Sequence, residues 1–225
     1  MGNSVADVLK RSNLRSGLDV FRASALVAQP IALPAEIAEA FPRLSIPVGR
    51  TIACHGSAAV SLALRLSAAA CPRGKWSAIV SSAEPGTPLI NPAAAHESGV
   101  ALERTLWVSV GDTASAAAMC MESCAVVVVH GGMNKRNRTR LQARVASAAA
   151  TLIFICTDDE HGVDADVTFA AADEHWEGLL AGYGHLMHRD LTLSVRARHA
   201  PPMNSAPVRL HRDSGQRPHN VSEHA

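Results

Sequence analysis

The chain has 225 residues, of which 48% are hydrophobic and 4% aromatic, and its formal net charge is +1. This length and hydrophobic content are enough for one well-buried α/β domain and leave little chain for a second. A nearly neutral charge excludes a general electrostatic attraction to nucleic acid, so any contact with DNA would be local and weak.

No apolar run approaches the roughly 20 residues that cross a bilayer, and the first residues lack the apolar core of a signal peptide. We therefore expect a cytoplasmic protein that makes no membrane contact. The five cysteines are an odd set that lies mostly within apolar runs, which indicates reduced core thiols. Cys120 and Cys124 could share a helix face, but no second ligand pair at zinc-finger spacing accompanies them, and we predict neither a metal site nor a cofactor.

Residues 1–28 combine apolar positions at helical spacing with lysine and arginine, and they predict an amphipathic helical segment with one basic face. A solvated helix and a docking helix for a partner both fit this pattern. Residues 29–47 contain four prolines and predict a linker with one short helix over residues 35–41. The predicted core covers residues 48–211, and the polar residues 212–225 predict a disordered tail.

The core begins with a pattern that resembles a phosphate-binding loop without its charges. Residues 48–53 predict a buried strand and residues 60–70 an apolar helix, with a tight loop between them. In the P-loop pattern G-x-x-x-x-G-K-[ST], backbone N–H groups, a lysine and a hydroxyl surround a nucleotide's phosphates and magnesium. Here alanines stand at the positions of the second glycine and the lysine, and the hydroxyl falls on Val60 or Ser61. The residues of this degenerate P-loop are His55, Gly56, Ser57, Ala58, Ala59, Val60 and Ser61.

Strand and helix patterns then alternate along the chain. The predicted strands are residues 76–82, 106–110, 125–129 and 151–156, and the predicted helices are residues 92–98, 113–123 and 137–150. Asp112 or Thr113 is the expected cap of the second of these helices. Arg138, Arg140 and Arg144 are expected to point outward from the third. This alternation predicts an α/β fold with a mostly parallel sheet flanked by helices.

From residue 167 onward the pattern changes to one of antiparallel strands. Residues 167–170 and 191–196 predict two strands, with turn regions at residues 176–179 and 182–186 between them. Residues 207–211 could pair with the second strand as a hairpin. The parallel sheet is therefore expected to end in a C-terminal antiparallel hairpin.

The charges that nucleotide hydrolysis requires are missing from the degenerate P-loop. The only lysines are Lys10, Lys75 and Lys135, and none lies in the loop. The magnesium-binding acid expected after residues 126–129 is replaced by His130, although magnesium prefers oxygen ligands. Loss of both groups would cost on the order of several kcal/mol in the transition state. We therefore predict no catalytic residues and no ATPase activity.

An enzyme of another class is one alternative. Glu84, His130 and Asp158 each follow a predicted parallel strand, and the carboxyl ends of such strands gather ligands at one edge of the sheet. The three side chains could hold a transition metal for hydrolysis. A solvated loop at Glu84 and a loop cap at Asp158 are simpler interpretations.

With these motifs the chain resembles the RecA-like core over residues 33–210, and within it the ImuA-prime group of accessory proteins of an inducible mutagenic DNA-repair system. Residues 97–106 are similar to RecA's connection into its third strand, and residues 126–129 to the strand that carries RecA's magnesium aspartate. A later succession is more specific, namely W-x-G-L from residue 176, G-x-G-H-L from residue 182 and R-x-x-x-[LV] from residue 189.

This resemblance implies a non-enzymatic adaptor in error-prone translesion DNA synthesis. The implied partner is a catalytically inactive Y-family polymerase-like protein of the ImuB type, and through it an error-prone C-family replicative-type polymerase. Self-association is left open. The C-terminal region departs most from the RecA core, so we expect the contact with the partner there. The candidate contact residues are Trp176, Gly182, Gly184, His185, Leu186, Arg189, Arg196, Arg198, Arg209 and Arg212.

The candidate contact residues have local interpretations as well. We interpret Trp176 as a core anchor under the glycine turn, because tryptophan prefers burial with a partner for its N–H group. The arginines are expected to form one basic strip across the hairpin, with solvated surface as the alternative. His185 and His188 lack a third metal ligand and are expected to hydrogen-bond within the turn.

A related binding protein is the main alternative to the polymerase adaptor. SulA-type inhibitors of cell division share the stripped RecA-like fold, and such a protein would bind the division GTPase and block its polymerisation. Overproduction that makes cells filament without changing the mutation frequency would favour this alternative.

Overall fold

The computed structural model of the chain describes residues 30–84, 90–131, 133–156, 164–180, 183–198 and 203–211. The predicted N-terminal helical segment and the predicted C-terminal tail lie outside these residues. The strands are β1 (Thr51–His55), β2 (Ser77–Ser82), β3 (Thr105–Val110), β4 (Val126–His130), β5 (Thr151–Ile155), β6 (Val167–Leu180), β7 (Tyr183–Ala197) and β8 (Ala206–His211). The helices are α1 (Ala35–Ala40), α2 (Ala59–Ala70), α3 (Pro92–Glu97), α4 (Thr113–Cys120) and α5 (Lys135–Ala148), with a 3₁₀ turn at Leu102–Arg104.

The described strands form one eight-stranded sheet in the order β3-β2-β4-β5-β1-β6-β7-β8. The pairings from β3 to β6 are parallel, whereas β7 runs antiparallel to both β6 and β8. The prediction of an α/β fold with a mostly parallel sheet and a C-terminal antiparallel unit is confirmed. The carboxyl ends of the parallel strands all lie at one edge of the sheet, and the degenerate P-loop follows β1 at that edge.

Helices cover both faces of the parallel part of the sheet. β4 shows this directly, because Val126 and Val128 belong to the core under α2, whereas Val127 and Val129 belong to the core under α4 and α5. All four valines are at most 1% exposed. A strand buried on both faces needs a continuous apolar run, which is why this strand is so clear in the sequence.

Residues 30–47 pack against the sheet and do not simply lead into it. Ile37 in α1 and Ile46 are fully buried within the core on the α2 face, and α1 lies against β8. The Ile31 N–H group donates a 2.8 Å hydrogen bond to the Ile46 carbonyl, which closes this segment on itself. The prolines interrupt any helical or strand periodicity, so the contribution of this segment to the core was not visible in the pattern.

The antiparallel strands β6 and β7 are much longer than expected. The predicted turn regions at residues 176–179 and 182–186 are wrong where they are described, because Trp176 lies within β6 and Gly184, His185 and Leu186 lie within β7. Gly182 is outside the described residues. A β-bulge in β6 between Ala172 and His175 breaks the period-two alternation and hid the strand from pattern analysis.

The predicted third strand of the antiparallel unit is confirmed, since β8 pairs with β7 from Leu193 opposite Ala206 to His188 opposite His211. The C-terminal unit is therefore a three-stranded antiparallel sheet continuous with the parallel one. Among the described helices, none is long and apolar enough to cross a bilayer.

Candidate functional site

The degenerate P-loop is a tight connection between β1 and α2. Gly56 has a φ of +84°, a conformation that glycine adopts without steric cost. The Ala59 N–H group donates a 3.0 Å hydrogen bond to the Gly56 carbonyl, and α2 begins there without a side-chain cap. Ala58 and Ala59 are 0% and 4% exposed. The positions of the second glycine and the lysine in a working loop are therefore buried in the core here.

Strand β6 closes the loop from the side. β1 and β6 are paired in parallel, with His55 opposite Ala170. A Cβ atom added to Gly56 would lie 2.2 Å from the carbonyl oxygen of Ala171, far inside van der Waals contact. The backbone of the antiparallel unit thus packs directly on the loop.

The bulge in β6 points a carboxylate at the loop. Asp173 has a φ of +52°, and the three-residue step from Ala172 to His175 opposes a two-residue step in β7. This extra residue moves Glu174 and Trp176 to the sheet face that α2 covers. Bulges commonly re-aim a side chain in this way. Glu174 accepts a hydrogen bond from the Ser57 hydroxyl in the loop.

Arg189 in β7 completes the cluster. Its Nη2 atom lies 2.6 Å from Oε2 of Glu174, its Nη1 atom donates a 3.2 Å hydrogen bond to the Ser61 hydroxyl, and its guanidinium carbon lies 4.8 Å from the centre of the Trp176 ring. The Trp176 Nε1–H group donates a hydrogen bond to Glu174. We call Ser57, Ser61, Glu174, Trp176 and Arg189 the loop ion-pair cluster. It joins the loop and the first turn of α2 to the antiparallel unit.

The electrostatics of the cluster favour an ionised Glu174. Partial burial of this carboxyl acts to raise its pKa, but hydrogen bonds from Arg189 and Ser57 and the positive charge of Arg189 outweigh burial. The pKa of Glu174 is therefore held below its ordinary value. Arg189 is only 7% exposed and has its charge matched by this carboxylate. Sequence reasoning identified every other member of the cluster but missed Glu174, because a one-residue bulge has no reliable signal in a single sequence.

Trp176 is not a core anchor. It is 45% exposed, and its ring lies over Arg189 with its N–H group bonded to Glu174. The bulge contributes to the difference, because it sets the sheet face on which Trp176 lies, beside Glu174 and Arg189. Trp176 lies within β6 opposite Arg189 of β7, so it does not belong to the turn that was expected at residues 176–179.

The arginines of the C-terminal unit do not form one strip. Arg189 lies on the sheet face that α2 covers, and Arg196, seven residues further along β7, lies on the opposite face because side chains alternate along a strand. Arg209 makes a bidentate contact of 2.6 Å with Asp190, and Arg198 pairs with Asp164 at 2.6 Å. Arg212 lies outside the described residues. Most of the positive charge predicted for this surface is thus matched by nearby carboxylates.

The predicted metal alternative finds no support in the described part of the chain. His130 ends β4 at 3% exposure, and Glu84 is exposed, with its N–H group bonded to the Ser82 hydroxyl at 3.1 Å. Asp158 lies outside the described residues. No group of three or more His, Cys, Asp or Glu side chains within the described ranges could hold a metal ion.

The cysteines are free thiols, of which Cys54, Cys124 and Cys156 are buried. Burial, followed by the neighbouring Cys120 and Cys71, raises the pKa of Cys124 to about 11. Burial likewise raises the pKa of Cys54, whose neighbour is Cys156. Raised thiol pKa values keep these side chains protonated and unreactive at neutral pH. The prediction of core thiols is confirmed for these three residues.

In a comparison with family models, the model described as the MT3502 N-terminal domain matches residues 39–159. The match covers more than half of the 225 residues. The chain belongs to the MT3502 N-terminal domain family. No curated protein matches it.

Only part of the loop ion-pair cluster lies within the residues that match the MT3502 N-terminal domain. Ser57 and Ser61 lie within the matched residues 39–159, whereas Glu174, Trp176 and Arg189 follow them. The matched region therefore contributes the loop and the parallel strands before β6, and the antiparallel unit that fills the loop is contributed by the residues beyond it.

Proposed function

We propose that the chain is a RecA-like, non-catalytic adaptor of an inducible, error-prone translesion DNA synthesis complex, as its resemblance to the ImuA-prime group implies. Its partner in this proposal is a catalytically inactive Y-family polymerase-like protein of the ImuB type, through which it reaches an error-prone C-family polymerase. The observation that carries the proposal is the loop ion-pair cluster, because it occupies the loop at which a nucleotide-hydrolysing protein of this fold would hold phosphates.

The chemistry of the loop opposes nucleotide binding. Phosphoryl transfer depends on a lysine and a magnesium ion that neutralise the phosphates. Here Ala59 takes the lysine position, and the carboxylate of Glu174 accepts a hydrogen bond from Ser57 in the same loop. A triphosphate would be repelled by this carboxylate, and Arg189 could reach it only by giving up Glu174. Breaking a buried ion pair costs several kcal/mol, since it leaves an unpaired charge.

The position of the loop in the sheet supports the RecA-like interpretation. The degenerate P-loop follows β1, which lies between β5 and β6, and its helix α2 covers one sheet face. His130 ends β4 at the same edge of the sheet, with only β5 between β4 and β1. The loop and the degenerate magnesium-acid position are thus close neighbours at the edge where open α/β sheets bind ligands.

Trp176 is the side chain best suited to contact a protein partner. It is 45% exposed, and its two interactions with Arg189 and Glu174 hold the ring in place before any partner arrives. Exposed aromatic side chains that are already ordered give much of the energy of protein interfaces, because little conformational entropy is lost on binding. The ion pair that fills the loop therefore also presents this ring at the surface.

Replacing Trp176 by alanine is expected to weaken binding to the polymerase-like partner at least tenfold, because tryptophans at interface centres commonly contribute about 2 kcal/mol or more. The matched control is Trp76→Ala. Trp76 is exposed to a similar extent, at 43%, but it directly precedes β2 and so lies at the amino ends of the parallel strands, away from the loop. Binding of purified proteins would be measured by calorimetry, with urea unfolding of each variant to confirm that it folds.

Equal losses from both tryptophan variants, or no loss from Trp176→Ala, would contradict a contact at Trp176. The adaptor proposal itself would be contradicted if the chain did not bind the polymerase-like protein. Binding to the division GTPase with a block of its polymerisation would then favour the SulA-type alternative.

A further inference from the structure

Helix α5 carries the highest concentration of positive charge in the described part of the chain. Residues 135–144 contain five cationic side chains and no acidic one, although the whole chain has a net charge of only +1. The cations of this helix are Lys135, Arg136, Arg138, Arg140 and Arg144. Among the described residues, the carboxylate of Asp112 interacts with the charge of Arg140, and that of Glu122 pairs with Arg144.

Helix stability does not explain these cations. The first turn of α5 has no acidic residue, and its cap is Asn134, which accepts a 2.9 Å hydrogen bond from the Asn137 N–H group. Cations near a helix N-terminus oppose the helix dipole and cost about 0.3–1 kcal/mol each. The core contacts of α5 come from Leu141 and Val145, whereas Arg136, Arg140 and Arg144 are exposed. A charge pattern that works against stability points to a function at the surface.

Three of the arginines form a line along the exposed face of α5. Arg136, Arg140 and Arg144 follow one another at intervals of four residues, and all three are exposed. Each interval is a rise of about 6 Å along the helix. Arg140 and Arg144 also line a groove of about 110 Å³ between α4 and α5. The line therefore extends from the start of α5 to a shallow cleft beside it.

Part of the charge of this helix is available to a ligand, although Asp112 lies near enough to Arg140 to interact with its charge. The side chains of Lys135, Arg136 and Arg140 make no hydrogen bond or ion pair of 4 Å or less with any residue that the structure describes, whereas Arg144 pairs with Glu122. The arginines of the antiparallel unit differ, because Arg189, Arg198 and Arg209 are each held by a carboxylate. A polyanion would meet far less competition at α5.

We propose that the exposed face of α5 binds the phosphate backbone of nucleic acid, weakly and without sequence preference. Guanidinium groups bind phosphate oxygens through two parallel hydrogen bonds, and four of the five cations are arginine. The line from Arg136 to Arg144 is about 12 Å long, which corresponds to roughly three to four steps of 3.4 Å between successive phosphates of one strand. The neighbouring outward residues Thr139, Ala143 and Ser147 offer no large apolar group for insertion into a membrane.

This proposal goes beyond the adaptor role, which needs only protein contacts. It rests on the charge and geometry of α5 alone. A test on the purified chain without the polymerase-like partner therefore gives an answer that does not depend on whether the adaptor proposal is correct.

The test measures binding of the full chain to a fluorescently labelled single-stranded DNA of mixed sequence by anisotropy at low ionic strength. The double variant Arg136→Gln/Arg140→Gln is expected to bind about tenfold more weakly and to show a salt dependence of log K reduced by about 1–2 units. The matched control is Arg43→Gln/Arg73→Gln, which removes the same net charge from two exposed loop arginines and should change binding less than about twofold.

A third variant tests the proposal in the opposite direction. Glu122→Gln removes a negative charge and releases Arg144 from its ion pair, so it is expected to tighten DNA binding by roughly threefold. Loss of a merely structural contact would not improve binding. No binding by the wild-type chain, equal effects of the two double variants, or a loss of affinity with an unchanged salt dependence would overturn the proposal. The proposal would also be overturned if the α5 variants bound DNA as tightly as the wild-type chain but no longer bound an acidic protein.

Discussion

Replacing Arg189 by methionine is expected to lower the free energy of unfolding by about 2–3 kcal/mol. Arg189 is 8% exposed in its side chain and Glu174 20%, and they are joined at 2.6 Å. The substitution would leave the Glu174 carboxylate without a cation and the Ser61 hydroxyl without its donor. Breaking a fully buried pair costs about 3–5 kcal/mol, and the smaller value allows for the water that still reaches Glu174. Urea unfolding at neutral pH measures the loss.

The control for this variant is Arg209→Met on the opposite face of the same unit. Arg209 also contacts a carboxylate at 2.6 Å, but its side chain is 48% exposed, and exposed pairs contribute little because water competes for both charges. The double variant Glu174→Gln/Arg189→Met should recover part of the stability, since neither charge is then left alone. Equal losses from Arg189→Met and Arg209→Met would contradict the structural role of the loop ion-pair cluster.

The variant Arg189→Met should also change the pH dependence of the free energy of unfolding. The pKa of Glu174 lies below its ordinary value of 4.5 in the folded state, so the folded state releases this proton more readily than the unfolded chain. The stabilisation by the ion pair is therefore present above about pH 4.5 and is lost as the pH falls through the lower folded pKa. The difference between wild type and Arg189→Met should shrink as the pH falls through this range. If the difference in unfolding free energy stayed constant over this pH range, the stabilisation by Arg189 would not come from its ion pair with Glu174.

Replacing Gly56 by alanine is expected to cost about 3 kcal/mol or more, because two unfavourable effects add. A positive φ costs an L-residue about 1–2 kcal/mol, and the φ of Gly56 is +84°. The new methyl group would also lie 2.2 Å from the Ala171 carbonyl oxygen, which belongs to a strand backbone and cannot move freely. Overpacking of this kind adds about 1–3 kcal/mol. The loss would be measured by urea unfolding.

Gly74→Ala separates the two effects at Gly56. Gly74 has a nearly identical φ of +80°, but no atom lies within 4 Å of its added Cβ. Its substitution should therefore cost only the conformational part, about 1–2 kcal/mol. If the two alanine variants lost the same stability, β6 would not pack on the loop as closely as the structure places it.

The parallel part of the fold was readable from the sequence for a clear physical reason. Strands such as β4 and β5 are buried on both faces, so they appear as continuous apolar runs, and the Asp112 cap of α4 follows from simple hydrogen bonding. The predicted bounds of β4 and β5 agree with the structure to within one residue, whereas β1 begins three residues later than predicted and α4 ends three residues earlier. The antiparallel unit was harder, because one inserted residue near Asp173 reverses which side chains face α2.

The candidate site also has residues that the sequence predicted and residues that it did not. The loop residues were identified from their order along the chain, but Glu174 and the exposure of Trp176 depend on the bulge, which is a tertiary feature. The sequence predicted Arg140 and Arg144 on the outer face of this helix but not Arg136, because the predicted helix began at residue 137. Asn134 is a residue type that favours helix caps, and recognition of that cap would have added Arg136 to the exposed face.

We infer that the Glu174–Arg189 ion pair keeps nucleotide phosphates out of the loop between β1 and α2. Calorimetric titration of the wild-type chain with ATP and magnesium, together with an assay of phosphate release on the same preparation, tests it most directly. We expect no saturable heat of binding and no phosphate release above the background. Saturable binding of the nucleotide, or release of phosphate above the background, would contradict it.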